Sequence, residues 1–250
     1  MGKFNSYDRI ADLYDHYVTV DYDLDFWHEE CISAGEVLEV TAGTGRVTLP
    51  LLRAGLRVTA VDISFGLLKK LREKAETEGL AVETVHADMR DFDLQRTFPL
   101  IIIAFQSLEE LADTCDVTAA LRRVHAHLAP GGRAIVTLHH PSSHTGGDMC
   151  LLRLMADEML PNGNRMLFWH TRKYEADTRT GISYQLYEEY DVDGLLHRKR
   201  LFTPRYHLLD RPEFEELANR AGLRVSNAWG GYKHEPYSEE GKYMIFELKE

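Results

Sequence analysis

Apolar residues in this chain come in short runs separated by charged or glycine-rich stretches. Val37–Val40, Arg57–Val61, Val82–His86, Leu100–Phe105 and Arg133–His139 read as buried strands. Between them, Arg46–Arg53, Phe65–Glu78 and Val117–Leu128 place apolar residues at helical spacing. Ser64 is positioned to cap the second of these helices and Asp116 the third. The Pro130-Gly131-Gly132 turn separates the third helix from the fifth strand. Strands alternating with helices imply parallel β-α-β units, right-handed crossovers and an open sheet covered on both faces.

The pattern differs on either side of this block. The first 35 residues read as two helical pieces, one with Tyr7, Ile10, Leu13, Tyr14 and Tyr17, the other with Leu24, Phe26 and Trp27. After Pro141, Asp148–Leu160 predicts a short amphipathic helix. Met166–Tyr174, Ile182–Tyr190 and Leu195–Phe202 then predict an antiparallel meander joined by the turns ADTRTG and DVDG. A helix at Pro212–Arg220, closed by Gly222, and strands at Leu223–Trp229 and Tyr243–Leu248 complete the chain. The expected class is α/β, a doubly wound, mostly parallel seven-stranded sheet with an inserted antiparallel β meander. Its expected parts are a helical cap (1–35), a ligand-binding core (36–147 and 206–250) and the insert (148–205).

Composition narrows the setting. No apolar run approaches the roughly 18 residues of a membrane span, and the polar start MGKFNSYDRIADLYD has no secretory apolar core. Cys31, Cys115 and Cys150 are odd in number and without C-x-x-C spacing, so neither a disulfide framework nor a cysteine zinc site is expected, and a reducing cytoplasm fits best. His139, His140 and His144 lack a fourth ligand at helix or hairpin spacing, so no metal is expected. A net charge of −11 argues against a nucleic-acid partner, and Arg198-Lys199-Arg200 reads as one solvated strand face.

The candidate chemistry sits at the carboxyl ends of the strands, where open α/β sheets bind ligands. EVLEVTAGTGR turns a strand into a loop with Gly43 and Gly45 and then a helix. Glycines there permit positive φ and let a ligand approach the backbone. Asp62 closes the second strand; its carboxylate can accept from two ribose hydroxyls, although a helix-capping aspartate is equally compatible with the position. A dinucleotide fold wants a third glycine where Thr48 stands, and here an acidic residue, Glu39, precedes the loop.

These segments, with VTAVDIS, VHADMRDF, FPLIIIAFQSLEEL and LRRVHAHLAPGGRAIVTL, resemble the ordered motifs of the class I S-adenosylmethionine-dependent methyltransferases, whose fold is Rossmann-like. The resemblance covers nearly all of residues 7–250 and is densest over 36–138. It implies S-adenosylmethionine as cofactor. The main chain at Thr41 and Ala42, with Gly43 and Gly45, would lie under the methionine part, and Arg46 and Tyr14 would meet its carboxylate. Asp62 would hold the ribose, Ile63 flank the adenine, Asp88 accept from its amino group and the Met89 N–H reach its ring. Phe105 and Gln106 would line the wall near the sulfonium, with Glu39 before the loop. Thr41 departs from the family, which usually has a glycine there.

Methyl transfer needs alignment, and a base only where the acceptor must lose a proton. Candidate bases are Glu109 and Glu110 after the fourth strand and His139 and His140 after the fifth; surface charge or backbone-bonded histidine competes as a reading for each. The meander resembles the cover of small-molecule methyltransferases, including amino-sugar N,N-dimethyltransferases and glycine N-methyltransferase-like enzymes. Trp169, Tyr184, Arg205 and Tyr206, with Tyr187 and Tyr190, would enclose a small-molecule acceptor modified at nitrogen or oxygen, although plain sheet packing also accounts for such an aromatic set. The meander's long strands also favour self-association as a homodimer. An RNA or protein methyltransferase, a nicotinamide dehydrogenase and a non-catalytic S-adenosylmethionine-binding regulator stay open on sequence alone.

Overall fold

Alternating residues of the central strands feed two separate cores. Leu38, Val40, Ile101 and Ile103 pack on one side, and Val37, Leu100 and Ile102 on the other. The computed structural model describes residues 6–111, 113–144 and 151–250. Its main sheet contains β1 (Glu36–Val40), β2 (Arg57–Asp62), β3 (Glu83–His86), β4 (Phe98–Ile103) and β5 (Leu128–His139), all parallel. β12 (Tyr243–Lys249), antiparallel to both its neighbours, and β11 (Arg224–Trp229), which runs in the direction of β5, extend it to the order β11-β12-β5-β4-β1-β2-β3. The chain winds one way from β1 and the other way from β4, so a crevice opens beyond their carboxyl ends.

Helices α2 (Leu24–Cys31), α3 (Thr48–Arg53) and α4 (Phe65–Thr77) cover one face, and α5 (Thr114–Ala126) and α6 (Arg211–Arg220) the other. Ser64 caps α4 as expected, accepting from the Leu67 N–H at 3.2 Å. The cap of α5 is Asp113 rather than Asp116, because the helix begins at Thr114; Asp116 falls in its first turn. Pro130-Gly131-Gly132 does not break β5. Phe98 pairs with Leu128 and Leu100 with Arg133, so the extra residues form an irregularity inside the ladder.

The insert is a second sheet. β6 (Arg153–Met159), β7 (Arg165–Glu175), β8 (Thr180–Tyr190) and β10 (Arg205–His207) lie in the order β10-β8-β7-β6, and β9 (Leu196–Phe202) also pairs with β8. The helix expected over Asp148–Leu160 is therefore a strand where the structure describes it. Pairing with β7 satisfies its backbone, and Ala156, opposite Phe168, turns towards the apolar cluster there. Residues 148–150, Cys150 among them, lie outside the described residues.

The N-terminal segment contains a short turn at Tyr7–Arg9, α1 (Tyr14–Tyr17) and α2, with much of its length irregular. Ile10 and Leu13 pack against Met166, Phe168, Tyr187 and Phe202 of the second sheet. Its aspartates tie it down as a strap. Asp8 accepts from the Ser64 hydroxyl and the Gly66 N–H, both at 2.7 Å, Asp15 pairs with Lys74 at 3.0 Å, and Asp12 with Arg200. Among the described residues no helix is long and apolar enough to cross a membrane.

Candidate active site

Beneath the strap, beyond the ends of β1, β2 and β4, lies a cavity of about 370 Å³. Tyr7, Tyr14 and Tyr17 close it from above. Thr41, Gly43 and Asp62 form its floor, Ile63, Asp88, Met89 and Arg90 one end, and Phe105, Ser107 and Glu110 the other.

The floor is set by backbone geometry. Asp62 accepts the N–H groups of Gly43 and Ser64, both at 2.8 Å, so one carboxylate locks the glycine loop and the start of α4. Burial pushes its pKa up, and those two N–H groups oppose the rise. Gly43 has φ +58°, and no atom lies within 4 Å of where a Cβ would stand, so the loop leaves open space on the cavity side. Gly45 differs. A Cβ there would come within 2.3 Å of Leu71 Cδ1, so this glycine serves close packing on α4. Thr41 holds φ +67°, a left-handed conformation that a β-branched residue resists, which explains why a glycine would suit the position.

Several residues expected at the cofactor stand behind this surface. Glu39 is buried and accepts from the Thr48 hydroxyl, its pKa pushed up to about 7 by burial. Ala42 is buried, its N–H bonded to the Val61 carbonyl at 3.0 Å. Arg46 is committed to Asp23 through two nitrogens and lies 4.7 Å above the ring of Phe105, which lines the cavity where Arg46 does not. At the far end Asp88 is bound by the guanidinium and N–H of Arg90, which hold its carboxyl below the usual range despite partial burial.

A second cavity of about 200 Å³ adjoins the first under the insert, and Tyr7, Phe105, Glu110 and Gln185 line both. Phe105 and Gln106 adopt consecutive left-handed conformations, φ +57° and +56°, as the chain leaves β4. That turn presents Phe105 to both spaces and Gln106 to the second. His139 lines the second cavity from the end of β5, its Nδ1 held at 2.8 Å by Glu109, whose carboxylate also accepts the His139 backbone N–H. Burial raises the Glu109 pKa, opposed by His139. Glu110 accepts from the Tyr7 hydroxyl, and burial pushes its pKa up to about 7.

Strand parity separates the remaining candidates. His140 points to the other side of the sheet from His139. Its Nδ1 is bonded to the Ser142 hydroxyl at 2.8 Å, and it lines neither cavity. Arg205 and Tyr206 line the second cavity. Trp169 and Tyr184 do not. Trp169 lies opposite Leu186 and bonds Glu188, while Tyr184 lies opposite Thr171, all on the outer face of the insert. The inner face instead presents His170 and Arg172 from β7 and Ser183 and Gln185 from β8. Their signal was the two-residue period carried on from the apolar Met166, Phe168 and Tyr187, which turn inward. Tyr7 had no such signal, because its role depends on where the strap settles.

The described residues contain no group of three or more histidine, cysteine or acidic side chains arranged to hold a metal ion. The larger cavity suits an adenosyl sulfonium: the Asp62 carboxylate on its floor can accept from two hydroxyls, open space lies over Gly43, and acidic Glu110 stands at the end near the second cavity.

Comparison with known proteins agrees with this geometry. Residues 37–132 match the family model described as a methyltransferase domain. A dTDP-3-amino-3,4,6-trideoxy-alpha-D-glucopyranose N,N-dimethyltransferase from Streptomyces venezuelae is 31% identical over 202 residues, 79% of each chain. The cypemycin N-terminal methyltransferase of a Streptomyces species is 26% identical over 85% of this chain and 82% of its own. The solved CcbJ methyltransferase from Streptomyces caelestis has the same fold, with a TM-score of 0.81 over 99% of both chains at 23% identity. With its sheet order, its glycine loop and these relatives, the chain belongs to the class I S-adenosylmethionine-dependent methyltransferases of the small-molecule type.

Proposed function

We propose that the enzyme methylates an amine nitrogen of a small polar acceptor held under the antiparallel insert. The wall shared by the two cavities carries this reading, because reactants in adjoining spaces meet at Tyr7, Phe105, Glu110 and Gln185. S-adenosylmethionine, when bound, supplies an electrophilic methyl group on a sulfonium. In this reading Asp62 takes the ribose hydroxyls, Ile63, Asp88 and Met89 the adenine, and Tyr14, Thr41 and Gly43 the methionine end. Glu39, Ala42, Gly45 and Arg46 support the loop from behind.

His139 takes the acceptor's proton at Nε2, because Glu109 commits Nδ1. Glu110 in its ionised form attracts an ammonium to the shared wall. Relatives named for amino-sugar and peptide N-terminal methylation support nitrogen over oxygen. The net charge of −11 supports a small acceptor over nucleic acid, and the free, unpaired Cys31 and Cys115 suit a cytoplasmic enzyme. The division into a cap (1–35), a donor-binding core (36–147 and 206–250) and an acceptor-covering insert (148–205) follows from the same reading. An outer row of Leu154, Trp169, Leu186 and Leu201, aligned across four strands, supports homodimer formation through the insert.

Methyl-labelled S-adenosylmethionine, offered with aminated sugars, amino acids, short peptides, hydroxylated metabolites and RNA, tests this reading. Label should enter an amine. His139→Gln should lower kcat by about 100-fold or more while S-adenosylhomocysteine binds as to the wild type. Label entering only hydroxyls or RNA contradicts the reading.

A further inference from the structure

The inner face of β7 and β8 changes character along its length. Met166, Phe168 and Tyr187 are buried in the apolar cluster under the strap, and the same face continues as His170, Arg172, Ser183 and Gln185 in the wall of the 200 Å³ cavity. Three of these four are bonded to one another or to Tyr187. His170 Nε2 meets the Ser183 hydroxyl at 2.9 Å, and Gln185 donates to Ser183 at 3.3 Å and accepts from the Tyr187 hydroxyl at 2.6 Å.

Arg172 stands apart. Among the described residues its guanidinium has neither a hydrogen bond nor an ion pair, and it acts on His170 and Tyr206 only through space. Arg200 is held by Asp12 and Glu189 and Arg179 by Asp210 and Glu213, and the insert arginines that share Arg172's lack of such a partner, Arg198 and Arg205, are exposed where Arg172 is partly buried. The chain carries 40 acidic against 29 basic residues, so a partly buried guanidinium without a carboxylate is not for want of acids. Tyr206 lies within electrostatic reach of both Arg172 and Glu109, so the cavity is cationic at its cover and acidic beside the shared wall.

Resting on the acceptor-cavity reading, we propose that Arg172 anchors an anionic oxygen group of the acceptor, a carboxylate or a phosphate. The planar guanidinium presents paired N–H donors that match two oxygens of either group. The acceptor is then an amine with negative charge at its far end. Its amine faces Glu110 and His139 while the anion is fixed at the insert.

The test titrates the protein saturated with S-adenosylhomocysteine with inorganic phosphate and, separately, with acetate. Wild type should bind at least one anion saturably, Arg172→Gln should weaken it at least tenfold, and Arg198→Gln, an exposed arginine outside both cavities, should bind as wild type does. Tighter phosphate identifies a phosphate group on the acceptor; tighter acetate identifies a carboxylate. With the labelled amine acceptor, Arg172→Gln should raise KM at least tenfold with kcat little changed. No saturable binding to wild type, or equal binding by Arg172→Gln, overturns the anchor. Because the titration needs no turnover, that failure is separable from a failure of amine methylation itself.

Discussion

Glu109 holds His139 twice, accepting its backbone N–H with one carboxylate oxygen and its Nδ1 with the other at 2.8 Å. Glu109 is only 3% exposed, so its carboxylate is sheltered from water where it fixes the partly exposed ring. Glu109 thereby fixes the ring of a residue that lines the second cavity.

Glu109→Gln keeps the size of the side chain but turns a donor towards the His139 N–H or Nδ1. The expected result is a fall in kcat of about 100-fold, with S-adenosylhomocysteine affinity unchanged in calorimetry. Full activity would leave Glu109 as a structural acid.

The two loop glycines should fail differently. Gly45→Ala drives a Cβ into Leu71 at φ +86° and should lose roughly 2–5 kcal/mol of stability. Gly43→Ala meets no protein atom, so it should lose only the roughly 1–2 kcal/mol of its left-handed φ, less than Gly45→Ala, but bind S-adenosylhomocysteine at least tenfold more weakly. Denaturant melts and calorimetry separate the two outcomes.

Glu39 gives a pH dependence of known sign. Burial raises its pKa from 4.5 to about 7, so the folded chain holds a proton the unfolded chain has already lost. That contribution to stability is full below the unfolded value and disappears as pH rises through about 7. Glu39→Gln should therefore melt higher than the wild type at pH 8.5, with a smaller drop in melting temperature between pH 5 and 8.5. Glu110 acts in the same direction, so some slope should persist.

The strap should govern donor retention. Asp8→Ala removes the acceptor shared by Ser64 and Gly66, and should speed S-adenosylhomocysteine release in stopped-flow measurements. Limited proteolysis within residues 6–23 should also quicken. An unchanged release rate would mean that the strap packs over the cavity without controlling it.

Local signals in the sequence were enough to place the parallel core, because its central strands β1, β4 and β5 carry apolar runs closed by glycine, proline or charge, while β3 shows only Val85 between polar residues. The glycine loop and Asp62 were visible for the same reason: the loop's conformation and the place of Asp62 at the end of β2 depend on residues adjacent in the chain. The Asp148–Leu160 segment misled because an edge strand with Leu154 and Met155 exposed has no clean two-residue alternation. Trp169 and Tyr184 drew attention as aromatics, yet only the pairing register shows that they face outward. Arg46 looked available because Asp23, its partner, lies 23 residues earlier on the strap.

The central claim is that the donor lies on Gly43 and Asp62 with its sulfur turned to the wall shared with the second cavity. A crystal structure with S-adenosylhomocysteine tests it most directly. Ribose hydroxyls on the Asp62 carboxylate and sulfur beside Phe105 and Glu110 are the predicted result; a ribose elsewhere, or a sulfur facing away from that wall, would contradict it.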